Sequence, residues 1–295
     1  MQRYSPPHTS PSGIPRAVRS RPQLNRRRVA LRALLIPGWW LRDYASALSG
    51  QLRSLIPTPT RNAFSGDPEA DRVSVLLLPG VYERWRFLLP LCRALRTAGF
   101  SVTPAPELGW NRQSLTASVD CLLDSSLSRL PPQHPVIVIG HSKGGLIGRS
   151  VLDDPRSPLS GRDDVALLTI ATPFRGSRYA SWFLDPAIRQ LRPRDPSVSQ
   201  MLGHPEEANA RITALVPHFD PHVPSTEALP GARTLTIPVA GHFWSVRSRT
   251  GIAHIIAAAR DIRASLETPP SPGGKKRPAP GKDGTDRGPT ESAQG

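Results

Sequence analysis

The stretch Pro135-Val-Ile-Val-Ile-Gly-His-Ser-Lys-Gly-Gly145 decides the fold of this 295-residue chain. Its apolar run has the length of a buried strand and ends in a glycine. The residues that follow, Leu-Ile-Gly-Arg-Ser-Val-Leu, can continue as a helix. We therefore predict a strand, a tight turn and a helix, with Ser142 at the apex of the turn.

The turn has the pattern Gly-x-Ser-x-Gly, which is typical of a nucleophilic serine when it connects a strand to a helix. Side chains at Gly140 and Gly144 would collide in so sharp a turn, and the strain holds the Ser142 hydroxyl away from the backbone. The backbone N–H of Lys143 then lies at a helix N-terminus, where it can bind a developing oxyanion. A chance match in a loop is the alternative, and the flanking strand and helix argue against it.

Alternating strands and helices extend on both sides of this stretch. We predict strands at 72–78, 100–103, 135–139, 164–170, 211–216 and 233–237, with helices at 88–95, 115–127 and 250–266. Continuous apolar strands separated by helices indicate an α/β fold, with a mostly parallel sheet covered by helices on both faces. The predicted domain spans residues 71–267.

A serine nucleophile needs a base and a carboxylate that orients the base, and these collect at the carboxyl ends of parallel strands. Asp220 and His242 directly follow the last two predicted strands. The three residues occur in the order nucleophile, acid, base: Ser142, Asp220, His242. This is the order expected for a Gly-x-Ser-x-Gly serine in a strand-to-helix turn.

Other side chains compete for these roles. His218 and His222 flank Asp220, and either could act as the base. The acidic pairs at 153–154 and 163–164 end a helix or precede a strand, which fits surface charge. We prefer His242 because a Gly-His pair at a strand end, before a terminal helix, is where the base belongs.

The turn after the first strand should complete the oxyanion site. Gly80 lets the backbone turn tightly, and the N–H of Val81 is the expected second donor beside that of Lys143. The Lys143 side chain is expected to place a positive charge near the site, where it could lower the pKa of an adjacent group or favour an anionic substrate. We expect four residues to contact substrate: Gly80, Tyr82, Trp85 and Phe174.

Five segments carry a resemblance to a known family: 140–145, Pro79-Gly80-Val81, Thr172-Pro-Phe-Arg-Gly-Ser177, Asp220-Pro-His-Val-Pro224 and Gly241-His242. They resemble the α/β-hydrolase family, and within it bacterial lipase- and esterase-like serine hydrolases. The resemblance covers about residues 72–267. It implies hydrolysis of carboxylic esters through an acyl-enzyme on Ser142, with His242 as base and Asp220 as orienting acid, and without a metal or cofactor.

Two features limit that inference. Many lipases have His-Gly where this chain has Pro79-Gly80, although a backbone donor at Val81 does not need the histidine. The same triad also serves acyltransferases, thioesterases and peptidases, and a non-catalytic membrane-surface or interaction module on this scaffold is the alternative from another class. The expected substrate is a small-molecule or lipid ester.

Charge is concentrated at the N-terminus. Residues 1–66 contain eleven arginines and one acid, whereas residues 67–267 have a net charge of only +3. We therefore expect no nucleic-acid partner. We predict a disordered basic leader at 1–38, a linker at 57–70 and a disordered tail at 268–295.

An amphipathic helix is predicted at 39–56. One face is apolar (Leu41, Tyr44, Leu48, Leu52, Leu55) and the other is polar (Arg42, Asp43, Ser46, Ser49, Arg53). We expect the helix to pack on the domain, with a membrane-surface contact through residues 26–56 as the alternative. A cleaved leader ending near Ala45-Ser46-Ala47 is disfavoured by the charges and the Pro-Gly break before it, so we expect a cytoplasmic location, peripheral to the membrane in the alternative.

Residues 174–209 are too apolar for a plain loop. They could form a small helical cap over the site or two ordinary surface helices, and both remain open.

Overall fold

Six parallel strands form one sheet at the centre of the computed structural model, which describes residues 26–56, 73–203, 206–224 and 229–267. The strands are β1 (Ser74–Leu78), β2 (Ser101–Pro104), β3 (Val136–His141), β4 (Val165–Ile170), β5 (Ile212–Phe219) and β6 (Arg233–Ala240). Their spatial order is β2-β1-β3-β4-β5-β6, and every neighbouring pair is parallel. The predicted α/β class and mostly parallel sheet are confirmed.

Eight helices accompany these strands in the described part of the chain: α1 (Arg26–Leu55), α2 (Leu89–Thr97), α3 (Leu115–Leu123), α4 (Lys143–Asp153), α5 (Pro186–Arg189), α6 (Pro196–Leu202), α7 (Trp244–Arg247) and α8 (Arg249–Glu267). Short 3-10 turns join some of them. By length and hydropathy, no helix within the described residues could cross a membrane.

Two apolar cores lie on opposite faces of the sheet. Successive residues of a strand point to opposite faces, so Val75 and Leu77 pack with α2 and α8, while Leu76 and Leu78 pack with α3 and α4. Strands β1, β3 and β4 are buried along their whole length. This double coverage explains why these strands are continuous apolar runs rather than alternating ones.

Helix α1 differs from the prediction in length and in orientation. It begins at Arg26 rather than Trp39 and includes Pro37. It packs on the domain, as expected, but with its polar face: Asp43, Ser46 and Ser54 are buried. The apolar face that we expected to be covered is exposed.

The segment between β4 and β5 contains α5, α6 and two 3-10 turns. We call residues 174–203 the cap. Pro173 precedes the cap, and the cap's residues Ser177, Tyr179, Ala180 and Phe183 line a cavity at the carboxyl ends of the strands. That the segment acts as a cap over the site stays a prediction.

Candidate active site

Ser142 occupies the strained turn that the sequence predicts. It lies between β3 and α4 with φ 51° and ψ −121°, a conformation that few non-glycine residues adopt. The flanking glycines have no room for a side chain. A Cβ on Gly144 would lie 2.7 Å from the Pro79 carbonyl oxygen, and one on Gly140 would lie 2.5 Å from the Gly144 backbone.

His242 and Asp220 form a buried pair beside this turn. His242 Nδ1 lies 2.8 Å from Asp220 Oδ2. The other carboxylate oxygen, Oδ1, accepts hydrogen bonds of 2.8 Å from the backbone N–H groups of His222 and Val223. Both oxygens are therefore fixed, and the pair holds the His242 ring with Nε2 available on the far side.

The electrostatics of the pair suit a general base. Burial opposes protonation of His242, but the Asp220 charge and hydrogen bond outweigh it, and the pKa of His242 is raised above its ordinary value. Burial alone would raise the pKa of Asp220, yet His242 and the backbone N–H groups outweigh it, so the pKa of Asp220 is lowered. The acid stays ionised while the histidine can take up a proton.

Ser142 and His242 line one cavity of about 280 Å³. Most of its wall is apolar or aromatic: Tyr44, Val81, Tyr82, Pro173, Tyr179, Ala180, Phe183, Ile188, Leu191, Val223 and Phe243. Among the described lining residues none is a lysine or arginine, and the one carboxylate, Glu83, has partners of its own. The cavity therefore favours an uncharged, apolar group.

Glu83 organises the turn that follows β1, a role that sequence analysis missed. Its buried carboxylate accepts the N–H of Gly80 at 2.7 Å and lies 2.9 Å from His141 Nδ1. His141 Nε2 in turn lies 3.2 Å from the carbonyl oxygen of His242. This chain of contacts fixes the turn that carries Val81 relative to the loop that carries the candidate base.

The Lys143 side chain does not place its charge in the cavity. It is fully buried, and Nζ donates to the carbonyl oxygens of Asn111, at 3.0 Å, and Gln113. Asn111 Nδ2 donates to the Pro79 carbonyl at 2.7 Å. The expectation of a cationic site that favours anionic substrates is therefore wrong. The side chain instead supports the turn before Gly80.

The backbone of Lys143 still fits its predicted role. Lys143 is the first residue of α4, and the N–H groups of a helix's first turn have no acceptor within the helix. Val81 lines the cavity directly after the anchored Gly80. The two N–H groups remain our candidates for the oxyanion site.

Helix α1 contributes to the site from the N-terminal end of the chain. The buried carboxylate of Asp43 accepts the N–H of His242 at 3.0 Å and that of Trp244 at 2.8 Å. About two helical turns further on, Gln51 Nε2 donates to the carbonyl oxygen of Tyr82 at 2.6 Å. The helix thus holds the loop of the candidate base and the turn of the candidate oxyanion site together.

The aromatic substrate contacts predicted from sequence divide into two groups. Tyr82 lines the cavity, and its hydroxyl bonds to Asp185, the N-cap of α5, which connects the β1 turn to the cap. Trp85 and Phe174 lie instead in the two apolar cores and are absent from the cavity wall. Gly80 is also absent from the wall, and its N–H donates to the Glu83 carboxylate.

Neither of the two competing histidines bonds to Asp220 through its ring in the described structure. His218 packs against Trp39 of α1. His222 lines the cavity, 5.1 Å from the His242 ring centre, and burial lowers the pKa of His222 to about 4. His242, rather than either competitor, holds the Asp220 bond.

Comparison with solved structures identifies the fold. A metagenomic carboxyl esterase aligns over 72% of this chain and 80% of its own, with 15% identity and a TM-score of 0.51. The chain has the α/β-hydrolase fold. A metagenome-derived lipolytic enzyme aligns over 66% of this chain and 95% of its own (15% identity, TM-score 0.47). An extracellular α/β-hydrolase from a Paenibacillus species aligns over 63% and 98% (14% identity, TM-score 0.44).

No family model and no curated protein matches the sequence. The identities to solved structures are low enough that the likeness concerns the fold, and the chemistry depends on the site itself.

Proposed function

We propose that this α/β-hydrolase-fold protein is a serine hydrolase that cleaves carboxylic esters through an acyl-enzyme on Ser142. The observation that carries the proposal is the buried His242–Asp220 pair, whose histidine lines the same cavity as a serine held in a strained strand-to-helix turn. A serine hydroxyl becomes an effective nucleophile only beside such an oriented base.

The reaction follows from the arrangement. His242 takes the Ser142 proton through Nε2 as the hydroxyl attacks the ester carbonyl, and Asp220 stabilises the imidazolium that forms. The N–H groups of Val81 and Lys143 bind the oxyanion. His242 then protonates the leaving alcohol and activates a water that releases the acid from Ser142.

The cavity supports an uncharged ester with a short acyl group. Its volume of about 280 Å³ equals that of roughly nine water molecules. The wall is mostly apolar, and the described lining residues offer no cation to bind a second carboxylate or a phosphate. We expect p-nitrophenyl butyrate to be hydrolysed faster than p-nitrophenyl palmitate in the absence of lipid.

The test is hydrolysis of p-nitrophenyl butyrate together with labelling by a fluorophosphonate. Ser142→Ala should lower kcat/KM by at least about 10³-fold and abolish labelling. Ser150→Ala, on the same helix α4 but outside the cavity wall, is the matched control and should retain both. Undiminished hydrolysis by Ser142→Ala, or labelling at another residue, would refute the proposal.

A further inference from the structure

Helix α1 presents an apolar face to solvent. Leu41 is 74% exposed, Leu48 62% and Leu52 58%, and Tyr44 and Leu55 are also exposed. At about 100° per residue these five side chains fall within an arc of about 80°. We call these five residues the apolar stripe. A helix that packs on its own domain usually buries such a face, and an ordered apolar row left exposed indicates a binding surface.

The buried face of α1 shows why the stripe points outward. Gly50 packs so closely that a Cβ there would lie 2.5 Å from the Phe87 ring. Asp43 on the same face is committed to the backbone of His242 and Trp244. These contacts fix the rotation of the helix, so the apolar stripe cannot turn inward without breaking them.

A second exposed apolar group lies on the cap. Trp182 is 79% exposed and Leu184 89%, and Phe183 between them is 49% exposed. We call these three residues the cap tip. Phe183 and Tyr44 each line the cavity while remaining partly exposed, so they mark its opening to solvent. One residue of the apolar stripe and one of the cap tip therefore border the same opening.

Both groups belong to segments of the sequence that are rich in arginine. The cap contains five arginines and two acids: Arg175, Arg178, Arg189, Arg192, Arg194, Asp185 and Asp195. The chain before Leu41 contains eight arginines and no acid. Helix α1 begins at Arg26, so this basic segment leads directly into the helix that carries the apolar stripe.

These observations identify one kind of partner. A second copy of the chain would bring two strongly basic segments together, at a formal net charge of +15 each. An anionic lipid surface complements both features, since it accepts apolar and tryptophan side chains and attracts clustered arginines. We propose that the apolar stripe and the cap tip dock on an anionic lipid surface, which holds the cavity opening against the source of ester substrate.

This proposal rests on the proposed function for its substrate but not for its binding. It specifies where the ester comes from: a lipid layer that faces the opening between Tyr44 and Phe183. The reaction of Ser142 is unchanged, and the lipid surface affects the delivery of substrate.

The test is co-sedimentation of the full chain with phosphatidylcholine vesicles, with and without phosphatidylglycerol. We expect binding to the phosphatidylglycerol vesicles, weakened by salt. Leu48→Ser/Leu52→Ser should reduce partitioning about tenfold or more, because two leucine side chains lose their transfer from water. Leu184→Ser should reduce it as well. Leu35→Ser is the matched control, since Leu35 is an exposed leucine on the same helix about 120° from the stripe.

The readouts separate the two proposals. Neither Leu48 nor Leu52 lines the cavity, so the double variant should hydrolyse soluble p-nitrophenyl butyrate at the wild-type rate. Loss of vesicle binding with hydrolysis retained supports the proposal, and binding by a chain that does not hydrolyse esters supports it while the proposed function fails. Three results overturn it: no binding of the wild type to anionic vesicles, undiminished binding of the double variant, or a wild-type dimer that the double variant dissociates.

Discussion

Replacing Lys143 by Met should change the pH dependence of stability. The ammonium is buried against two backbone carbonyls, and desolvation lowers the pKa of Lys143 to about 7 from an ordinary 10.5. Between these values the unfolded chain binds a proton that the folded chain has released, so stability rises with pH in this window. Methionine has a similar shape and no proton to exchange.

The magnitude follows from the two pKa values. A shift of this size corresponds to about 5 kcal/mol of unfavourable free energy when Lys143 is fully protonated in both states. Part of that amount is already relieved at neutral pH. Between pH 7 and pH 9 the free energy of unfolding of the wild type should increase by about 2 kcal/mol through Lys143.

The assay is urea denaturation of the wild type and Lys143→Met at both pH values. The difference in unfolding free energy, wild type minus variant, should increase by about 2 kcal/mol from pH 7 to pH 9. Groups that the two proteins share cancel in this difference, as do hydrogen bonds that the variant loses at both pH values. A difference that stays constant with pH would refute the assignment of Lys143 as a desolvated amine.

Three further outcomes are expected at the site. Asp43→Asn leaves one acceptor oxygen for two backbone N–H groups, so the free energy of unfolding should fall by about 2 kcal/mol. The value of kcat/KM for p-nitrophenyl butyrate should also fall, because the His242 loop loses an anchor. Unchanged urea midpoints and unchanged rates would contradict this role. The value of kcat/KM should rise with pH as His242 loses its proton. Because Asp220 raises the pKa of His242, the midpoint of this rise should lie above the ordinary histidine value of about 6.5. A lower midpoint would argue against the His242–Asp220 pair. Tyr82→Phe removes the hydrogen bond to Asp185 that connects the β1 turn to the cap, so esters with longer acyl chains should be hydrolysed relatively faster than by the wild type. An unchanged preference for acyl chain length would show that this bond does not control the cap.

The structure could be predicted from the sequence where a local pattern determines the backbone geometry. Gly140 and Gly144 leave no space for a side chain beside β1 and α4, so the turn can be predicted from the five residues 140–144. Asp220 and His242 could be selected because parallel strands bring their carboxyl ends to one edge. The strands themselves were predictable because three of them are buried on both faces.

Contacts between distant segments could not be predicted in the same way. The apolar period of α1 identifies an amphipathic helix but does not say which face contacts the domain. The signal lay in the small residues Ser46, Gly50 and Ser54, which repeat every four positions and permit close approach. Glu83 and Asp43 carry no local signature, because their partners lie 58 and 199 residues away.

Aromatic residues near a motif were the least reliable guide. Trp85 and Phe174 stand close in sequence to the segments that form the site, yet their side chains fill the apolar cores. Proximity along the chain does not fix the direction in which a large apolar side chain points.

The bond between Asp43 and the His242 loop also orders events during synthesis. Its two ends are separated by 199 residues, so α1 leaves the ribosome about 10 to 40 s before the loop it supports. Until then the Asp43 carboxylate of the helix lacks its two N–H donors, and the sheet on which the helix packs is incomplete. The turn that carries Ser142 can form while the chain is still growing, but His242, the candidate base, is anchored only after β6 has been made. The last strand and the anchored loop should therefore form together at the end of synthesis, and contacts of high sequence separation should make that last step slow.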